Sequence, residues 1–304
     1  GTSAPPMPTP GMVAPPPSGE PWTVMHMVKW SASYLELRGV DSPRLTAELL
    51  LAHVLGGGRL DLYLQFDRPL TAQELASYKP LLQRRAAREP LQYVLGSTQF
   101  RGLDLLCDAR ALIPRPETEG LLDALMASSG QEGPVGQALD VGTGTGALAL
   151  AMAHENLAGS VLGVDVSAEA LALAWSNAER MGLESQVGFR RGSLFEAVNG
   201  EVFDWVVSNP PYVATDELSA TEPEVREWEP LLALAGGADG LDVIRPLVAG
   251  AVTVLRGGGW LALEVGWDQT VVVEKLLAAS GDYDCIATRE DLAGRPRYVL
   301  ARRK

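Results

Sequence analysis

The chain has 304 residues, 46% of them hydrophobic and 21% charged, which is typical of a globular protein with a sizeable core. Its formal net charge of −13 disfavours a nucleic-acid partner, because such binding requires Lys and Arg side chains that neutralise phosphates. Two distant cysteines, Cys107 and Cys285, and three scattered histidines predict no disulfide framework and no metal site, and they indicate a reducing cytoplasm.

The chain opens with a segment of unusual composition. Residues 1–24 are rich in Pro, Gly, Ser and Ala, and they lack the basic start and apolar core of a signal peptide. We therefore expect a disordered leader there. No run of about 18 apolar residues occurs in the chain, so no transmembrane helix is predicted.

A helical pattern follows over residues 25–90. Ser42 precedes a proline, as at a helix N-terminus, and Thr71 with Glu74 forms a capping box before the next helix. We expect a small helical domain without catalytic residues. Its basic cluster is interpreted as a solvated helix face rather than a nucleic-acid site: Lys79, Arg84, Arg85 and Arg88.

Residues 91–112 differ in character from the helical region. The sequence "LQYVLGSTQFRGLDLLCD" contains two short apolar segments around residues 96–102, which predicts a β-hairpin connector. The following "IPRPETEGLLDALM" predicts a new helix with Pro116 in its first turn.

Strands and helices alternate through the rest of the chain, residues 113–304. This alternation predicts an open, mainly parallel Rossmann-like α/β sheet with helices on both faces. Ligands of such sheets bind beyond the carboxyl ends of the strands. We expect Ser167 to cap a helix that ends at Gly182. The predicted strands lie near residues 137–141, 160–165, 187–190, 203–208, 259–265, 283–288 and 297–301, and the helices near 146–154, 168–181, 240–255 and 268–280.

A glycine loop joins the first of these strands to its helix in "ALDVGTGTGALALAMA". Glycines allow a tight turn and a close approach of a ligand to the backbone. The spacing is G-x-G-x-G, with Ala147 where a dinucleotide fingerprint has its third glycine, which disfavours a nicotinamide enzyme but leaves it open. The loop residues predicted to bind a cofactor are Gly142, Thr143, Gly144, Thr145 and Gly146.

Two acids accompany this loop. Asp165 ends the second strand, where a carboxylate can accept hydrogen bonds from both hydroxyls of a ribose. Asp140 ends the first strand and could orient the loop or meet a positive group of the ligand. The loop and Asp165 together predict a nucleoside-containing cofactor, either nicotinamide dinucleotide or S-adenosylmethionine.

The sequence "SNPPY" (208–212) separates these two cofactors. It supplies no hydride-transfer group, but it suits a planar amino or amide nitrogen as nucleophile. The Asn209 side-chain oxygen and the Pro210 carbonyl can accept both N–H groups of such a nitrogen. Pro211 removes a competing donor, and Tyr212 can stack on the planar group. We predict Asn209, Pro210 and Tyr212 as catalytic residues.

These residues resemble those of the S-adenosylmethionine-dependent methyltransferases that carry a D/N/S-P-P-Y motif. The resemblance is closest to the branch that methylates the glutamine amide nitrogen of peptide chain release factors, and it covers about residues 25–304. It is carried by "IPRPETE" (113–119), "LDVGTGTGALAL" (139–150), "SNPPY" (208–212), "EVREWEPLLAL" (224–234) and "DLAGRPRYVLAR" (291–302).

The resemblance implies a class I methyltransferase sheet and methylation of the glutamine in a Gly-Gly-Gln loop. It implies cofactor contacts at Asp165, Ser193, Leu194 and Asn209 besides the glycine loop. Substrate contacts are implied at Asn209, Pro210, Pro211, Tyr212, Arg115 and Glu117, with Phe100 as a further wall. Ser193 stands where the family commonly has an acid, so we expect slightly weaker recognition of the adenine amino group.

Three alternatives remain open at the level of sequence. Amino-group methylation of adenine, cytosine or guanine needs the same acceptor geometry but also a basic groove. Methylation of a ribosomal-protein glutamine is a nearer alternative. A binding module without catalysis is disfavoured by the intact "NPPY". We expect a monomer.

Overall fold

The computed structural model describes residues 9–304, so the first eight residues of the predicted leader lie outside the described part. The chain divides into two compact units at the boundary between Leu95 and Gly96. In the first unit, Val13 N–H donates to Ser33 Oγ at 3.0 Å, so this part of the predicted leader lies against the first helix. No helix among the described residues has the length and apolar character needed to cross a membrane.

The first unit is helical, as the sequence predicts. Thr71 Oγ1 accepts from the Glu74 N–H at 3.1 Å and the Glu74 carboxylate accepts from the Thr71 N–H at 2.9 Å, which confirms the capping box. Ser42 occupies its predicted N-cap position, but its side chain makes no capping hydrogen bond. The helices are α1 (Val24–Glu36), α2 (Pro43–Leu55), α3 (Arg59–Tyr63), α4 (Ala72–Ala86) and α5 (Leu91–Leu95).

The predicted β-hairpin is present at the start of the second unit. Strands β1 (Ser97–Phe100) and β2 (Leu103–Leu106) pair antiparallel. The first apolar segment of the predicted hairpin, "LQYVL", is instead helix α5. The N–H groups of Tyr93 and Val94 both donate to the Pro90 carbonyl, so a helical turn starts immediately after the proline.

A seven-stranded sheet forms the centre of the second unit within the described residues, in the order β5-β4-β3-β6-β7-β9-β8. Its first five strands are parallel, while β9 runs antiparallel to both β7 and β8. The strands are β3 (Val135–Val141), β4 (Ala158–Asp165), β5 (Val187–Arg191), β6 (Phe203–Ser208), β7 (Leu255–Glu264), β8 (Tyr283–Glu290) and β9 (Pro296–Arg303).

Helices pack against both faces of this sheet. Two apolar clusters result, one with side chains of α6, α7 and α8 and of the hairpin, the other with side chains of α10 and α11. This confirms the predicted α/β fold, in which every predicted strand is present. The helices of this unit are α6 (Pro116–Ser129), α7 (Ala147–His154), α8 (Ala168–Met181), α9 (Pro223–Trp228), α10 (Ile244–Val254) and α11 (Thr270–Ser280).

The predicted residues at both ends of α8, Ser167 and Gly182, are confirmed. Ser167 Oγ accepts from the Ala170 N–H at 3.1 Å, and Gly182 ends α8 with φ +68°. The chain leaves β3 to one side through β4 and returns to its other side with β6. The strand order therefore reverses at β3, and a ligand is expected beyond the carboxyl end of that strand.

Candidate active site beyond strands β3, β4 and β6

A cavity of about 950 Å³ lies at the carboxyl ends of β3, β4 and β6. Its volume is in the range of sites that enclose small molecules. The segments that follow four strands, β3 to β6, contribute to its lining. The predicted site residues that line it are Gly142, Thr143, Gly144, Thr145, Asp165, Ser193, Leu194, Asn209, Pro210 and Pro211.

Five predicted site residues do not line this cavity: Gly146, Arg115, Glu117, Tyr212 and Phe100. Gly146 has φ +85°, and a Cβ there would lie 3.2–3.3 Å from side chains of the core. Its glycine character thus serves the turn into α7. Phe100 is fully buried in the apolar cluster beside α6, so the prediction that it forms a pocket wall is wrong.

Asp165 anchors the glycine loop to the end of β4. Its Oδ2 accepts from the Gly144 N–H at 2.9 Å, and its Oδ1 accepts from the Ser167 N–H at 3.0 Å. A carboxylate has about four lone-pair positions, so two acceptor positions remain for further donors. Gly142 and Gly144 have φ values of +73° and +57°, the left-handed region that favours glycine.

Asp140 is a buried acid that lines the same cavity. Its Oδ2 accepts from Thr143 Oγ1 at 2.8 Å, while Oδ1 has no hydrogen-bond partner among the described residues. Burial raises the pKa of this carboxyl to about 7, and the nearby Asp165 adds to the effect. A cationic group in the cavity would satisfy the orphaned oxygen and favour the ionised form.

The Asn-Pro-Pro segment leaves the end of β6 and enters the cavity wall. Ser208 Oγ donates to the Val141 carbonyl at 2.6 Å, which ties the ends of β6 and β3 together. Asn209 Nδ2 lies 3.4 Å from Thr118 Oγ1. Asn209 Oδ1 is buried and has no partner among residues 9–304. The segment that lines the cavity therefore contains a buried hydrogen-bond acceptor that no described residue satisfies.

The backbone of Tyr212 is held by Gln269, the residue immediately before α11. Its backbone carbonyl accepts from Gln269 Nε2 at 2.9 Å. Its ring packs against the apolar cluster of α10 and α11, and burial raises the pKa of the phenol, with Glu264 adding to the effect. The stacking role of Tyr212 stays a prediction.

Arg115 acts on the cavity wall through a buried acid that the sequence reasoning missed. Its guanidinium pairs with the carboxylate of Glu229, which also accepts from the Ile113 N–H at 3.0 Å. Ile113 lines the cavity, so the ion pair fixes part of its wall. Glu229 lies in "EVREWEPLLAL", but the sequence alone does not distinguish it from its acidic neighbours. Glu117 is exposed.

A second missed acid lies behind Asn209. Glu264 ends β7 and is 3% exposed, and its Oε2 accepts from Thr118 Oγ1 at 2.8 Å. Burial raises its pKa to about 7. The signal available in the sequence is an acid at the end of the apolar strand "WLALE", since buried carboxylates are rare without a partner.

Comparisons with known proteins give matches to both units of the chain. Residues 26–96 match the family model described as PrmC N-terminal domain, and residues 117–226 match the model described as methyltransferase small domain. Among solved structures, the hMettl16 catalytic domain in complex with a 3′UTR hairpin has a TM-score of 0.57 at 18% identity. That match covers 73% of this chain and 80% of the other, and it supports the fold alone.

Curated relatives match nearly the whole chain. The release factor glutamine methyltransferase of Geobacter sulfurreducens is 43% identical over 283 residues, which cover 93% of this chain and 98% of that protein. The protein of the same name from Agrobacterium fabrum is 39% identical, with 88% of this chain and 93% of that protein covered. These similarities confirm the resemblance seen in the motifs. The chain belongs to the family of release factor glutamine methyltransferases.

Proposed function

We propose that this protein transfers a methyl group from S-adenosylmethionine to the side-chain amide nitrogen of the glutamine in the Gly-Gly-Gln motif of peptide chain release factors. The observation that carries the proposal is the buried, unpartnered Oδ1 of Asn209 in the wall of the cavity. The curated relatives, which are named for this activity, support the choice of substrate.

The residues around the cavity fit the cofactor. S-adenosylmethionine supplies an electrophilic methyl group next to a positively charged sulfur, and S-adenosylhomocysteine is the product. The orphaned Oδ1 of Asp140 suits the positive end of this molecule, and Asp165 retains acceptor positions for its ribose hydroxyls. Ser193 and Leu194 line the cavity after β5, where the adenine is expected.

The substrate amide requires positioning more than base catalysis. An amide nitrogen is a weak nucleophile because its lone pair is delocalised into the carbonyl group. Asn209 Oδ1 and the Pro210 carbonyl accept its two N–H groups, which holds the nitrogen in place and stabilises the positive charge that develops on it. The nitrogen would gain the methyl carbon as the bond between that carbon and the sulfur of S-adenosylmethionine breaks, leaving S-adenosylhomocysteine, and the acidic proton would then pass from the nitrogen to solvent.

The helical residues 25–90 are proposed to dock the release factor, with residues 91–112 as a connector to the catalytic residues 113–304. The family model over residues 26–96 and the structural division after Leu95 support this assignment. Leu60 on α3 and Leu64, the residue that follows α3, are 72% and 77% exposed, which is unusual for leucine. Replacing both by Ser should raise KM for the release factor and leave the Kd of S-adenosylmethionine unchanged. An unchanged KM would argue against docking through α3.

The decisive experiment follows a labelled methyl group. The protein is incubated with methyl-labelled S-adenosylmethionine and, separately, with purified release factor, ribosomal proteins and nucleic acid. We expect label on the release factor, and none when its Gly-Gly-Gln glutamine is replaced. Label on nucleic acid or on a ribosomal protein alone would overturn the proposal.

Asn209→Ala tests the assigned role of the side chain. Turnover should fall about 10²–10³-fold, as when one preorganised polar group is removed from an active site. Affinity for the cofactor should change less. Asn199→Ala is a matched control because Asn199 is exposed after β5 and does not line the cavity. Equal turnover of the two variants would remove Asn209 from the mechanism.

A further inference from the structure

Two consecutive hydrogen bonds link the Asn209 side chain to Thr118 and Thr118 to Glu264. Thr118 belongs to α6, and Glu264 is the last residue of β7. We propose that Thr118 and Glu264 set the direction of the Asn209 amide, so that its oxygen rather than its NH₂ group is offered to the substrate. The substrate side of this inference rests on the proposed function.

Two contacts define these hydrogen bonds. Asn209 Nδ2 lies 3.4 Å from Thr118 Oγ1, and Thr118 Oγ1 lies 2.8 Å from Glu264 Oε2. Because Thr118 and Glu264 are both buried, their polar groups must be satisfied by protein partners.

The direction of these two hydrogen bonds follows from proton counting. An ionised carboxylate only accepts hydrogen bonds, so the single hydroxyl proton of Thr118 is directed to Glu264. Thr118 then offers only lone pairs to Asn209, which must turn its NH₂ group towards them. The Asn209 oxygen is left without a protein partner, as observed.

The direction of this amide decides what the site can bind. The substrate nitrogen carries N–H donors, so an oxygen at this place makes a hydrogen bond. A reversed Asn209 would instead place its own N–H groups against those of the substrate. Thr118 and Glu264 are therefore positioning residues that act through Asn209; Thr118 also lines the cavity, whereas Glu264 does not.

Protonation of Glu264 would remove this bias. A protonated carboxyl can donate to Thr118, whose own proton can then turn towards Asn209 and stabilise the reversed amide. Burial raises the pKa of Glu264 to about 7, although the Thr118 hydrogen bond and nearby cations act to lower it. Protonation of Glu264 therefore falls in an accessible pH range. The other groups that act on or respond to Glu264 are Arg115, Glu117, Tyr212, Arg297 and Tyr298.

Two variants of Thr118 separate the hydroxyl from the shape of the side chain. Thr118→Val keeps the branched shape and removes the hydroxyl, while Thr118→Ser keeps the hydroxyl. We expect kcat to fall about tenfold in Thr118→Val, with the release-factor KM and the S-adenosylmethionine Kd within about twofold of wild type. Thr118→Ser should recover most of the rate. A wild-type kcat in Thr118→Val would overturn the inference.

The pH dependence gives a second readout that a purely structural role would not change. With S-adenosylmethionine saturating, so that Asp140 is already paired with the cationic cofactor, wild-type kcat should rise with pH to a plateau with an apparent pKa near 7, because only ionised Glu264 holds the amide in place. The Glu264→Gln variant should have a lower kcat, and its kcat should not rise with pH in this range. If kcat of Glu264→Gln still rose with pH near 7, Glu264 would not be the titrating group and the inference would be contradicted.

A measurement without substrate distinguishes failure of this inference from failure of the proposed function. In protein labelled with ¹⁵N at asparagine, the side-chain NH₂ resonance of Asn209, assigned by comparison with Asn209→Ala, should titrate near pH 7 in the wild type and not in Glu264→Gln. If the release factor receives no label, the proposed function fails, yet this titration still decides the inference. An NH₂ resonance that is independent of pH in the wild type would overturn it.

Discussion

The buried carboxylate of Glu229 should be a major support of the cavity wall, and its removal makes a quantitative prediction. The Glu229 side chain is 1% exposed, and that of Arg115 is 35% exposed. The same carboxylate accepts the backbone N–H of Ile113, which is also buried. Glu229→Ala therefore removes both the partner of a charge and the only acceptor that the described residues provide for this N–H.

The expected loss follows from these two contacts. An orphaned buried N–H costs about 1–3 kcal/mol. Breaking a fully buried ion pair costs about 3–5 kcal/mol, but Arg115 is one-third exposed and water can solvate part of its charge. We expect Glu229→Ala to lower the free energy of unfolding by about 2–4 kcal/mol. Glu229→Gln keeps an acceptor for Ile113 and should cost less, about 1–2 kcal/mol.

Urea unfolding followed by tryptophan fluorescence measures these changes. The control is Glu227→Ala, because Glu227 lies in the last turn of α9, two residues before Glu229, and is exposed. We expect the control to stay within about 0.5 kcal/mol of wild type. If Glu229→Ala were no less stable than Glu227→Ala, the ion pair would not support the wall and the reasoning would be refuted.

Three further predictions concern the acids and one glycine. A carboxyl whose pKa is raised in the folded state stabilises the fold at low pH and loses this contribution as the pH rises to about 7. The free energy of unfolding of Asp140→Asn, measured relative to wild type in urea, should therefore be about 2–3 kcal/mol higher at pH 8 than at pH 5. An equal difference at both pH values would argue against the raised pKa. Asp165→Ala should weaken S-adenosylmethionine binding at least tenfold in calorimetry, because it removes the ribose acceptor and frees the Gly144 N–H; unchanged affinity would contradict the ribose role. Gly120→Ala should cost about 1–3 kcal/mol, because its Cβ would lie 2.9 Å from Tyr298 Cζ, and a wild-type melting temperature would show that the ring can move.

The sequence predicts the elements of this fold whose signals are local. The parallel strands of the sheet are short, largely apolar runs that end beside a glycine, an acid or, for β6, Asn209, and each is found within a few residues of its expected position. The glycine loop and Asp165 come together because both follow neighbouring parallel strands, whose carboxyl ends share one edge. Periodicity and strand order are enough to place them.

Local signals mislead where tertiary packing decides. The segment "LQYVL" has the composition of a strand, but Pro90 before it starts a helical turn. Phe100 lies within the predicted connector, and the family resemblance implied a place for it in the pocket wall. Its ring is instead the anchor that buries the hairpin against the sheet unit.

The acids that support the site could not be placed from the sequence, because their partners are remote. Glu229 is 116 residues from Ile113, and Glu264 is 146 residues from Thr118. Both partners lie in the seven-residue segment "IPRPETE". This segment therefore holds two distant acids at once, which gives a physical reason for its value as a signature beside "NPPY".

The register of α6 makes this double contact possible. Pro116 occupies the first position of the helix, where its fixed φ and missing N–H are tolerated. Arg115 thereby stays extended and reaches Glu229, while Thr118 falls in the first turn and faces Glu264. A start one residue earlier or later would turn Thr118 by about 100° around the helix axis and separate it from Asn209. Pro116, which marks the start of the helix in the sequence, thus fixes the angle at which the Thr118 hydroxyl meets the Asn209 amide.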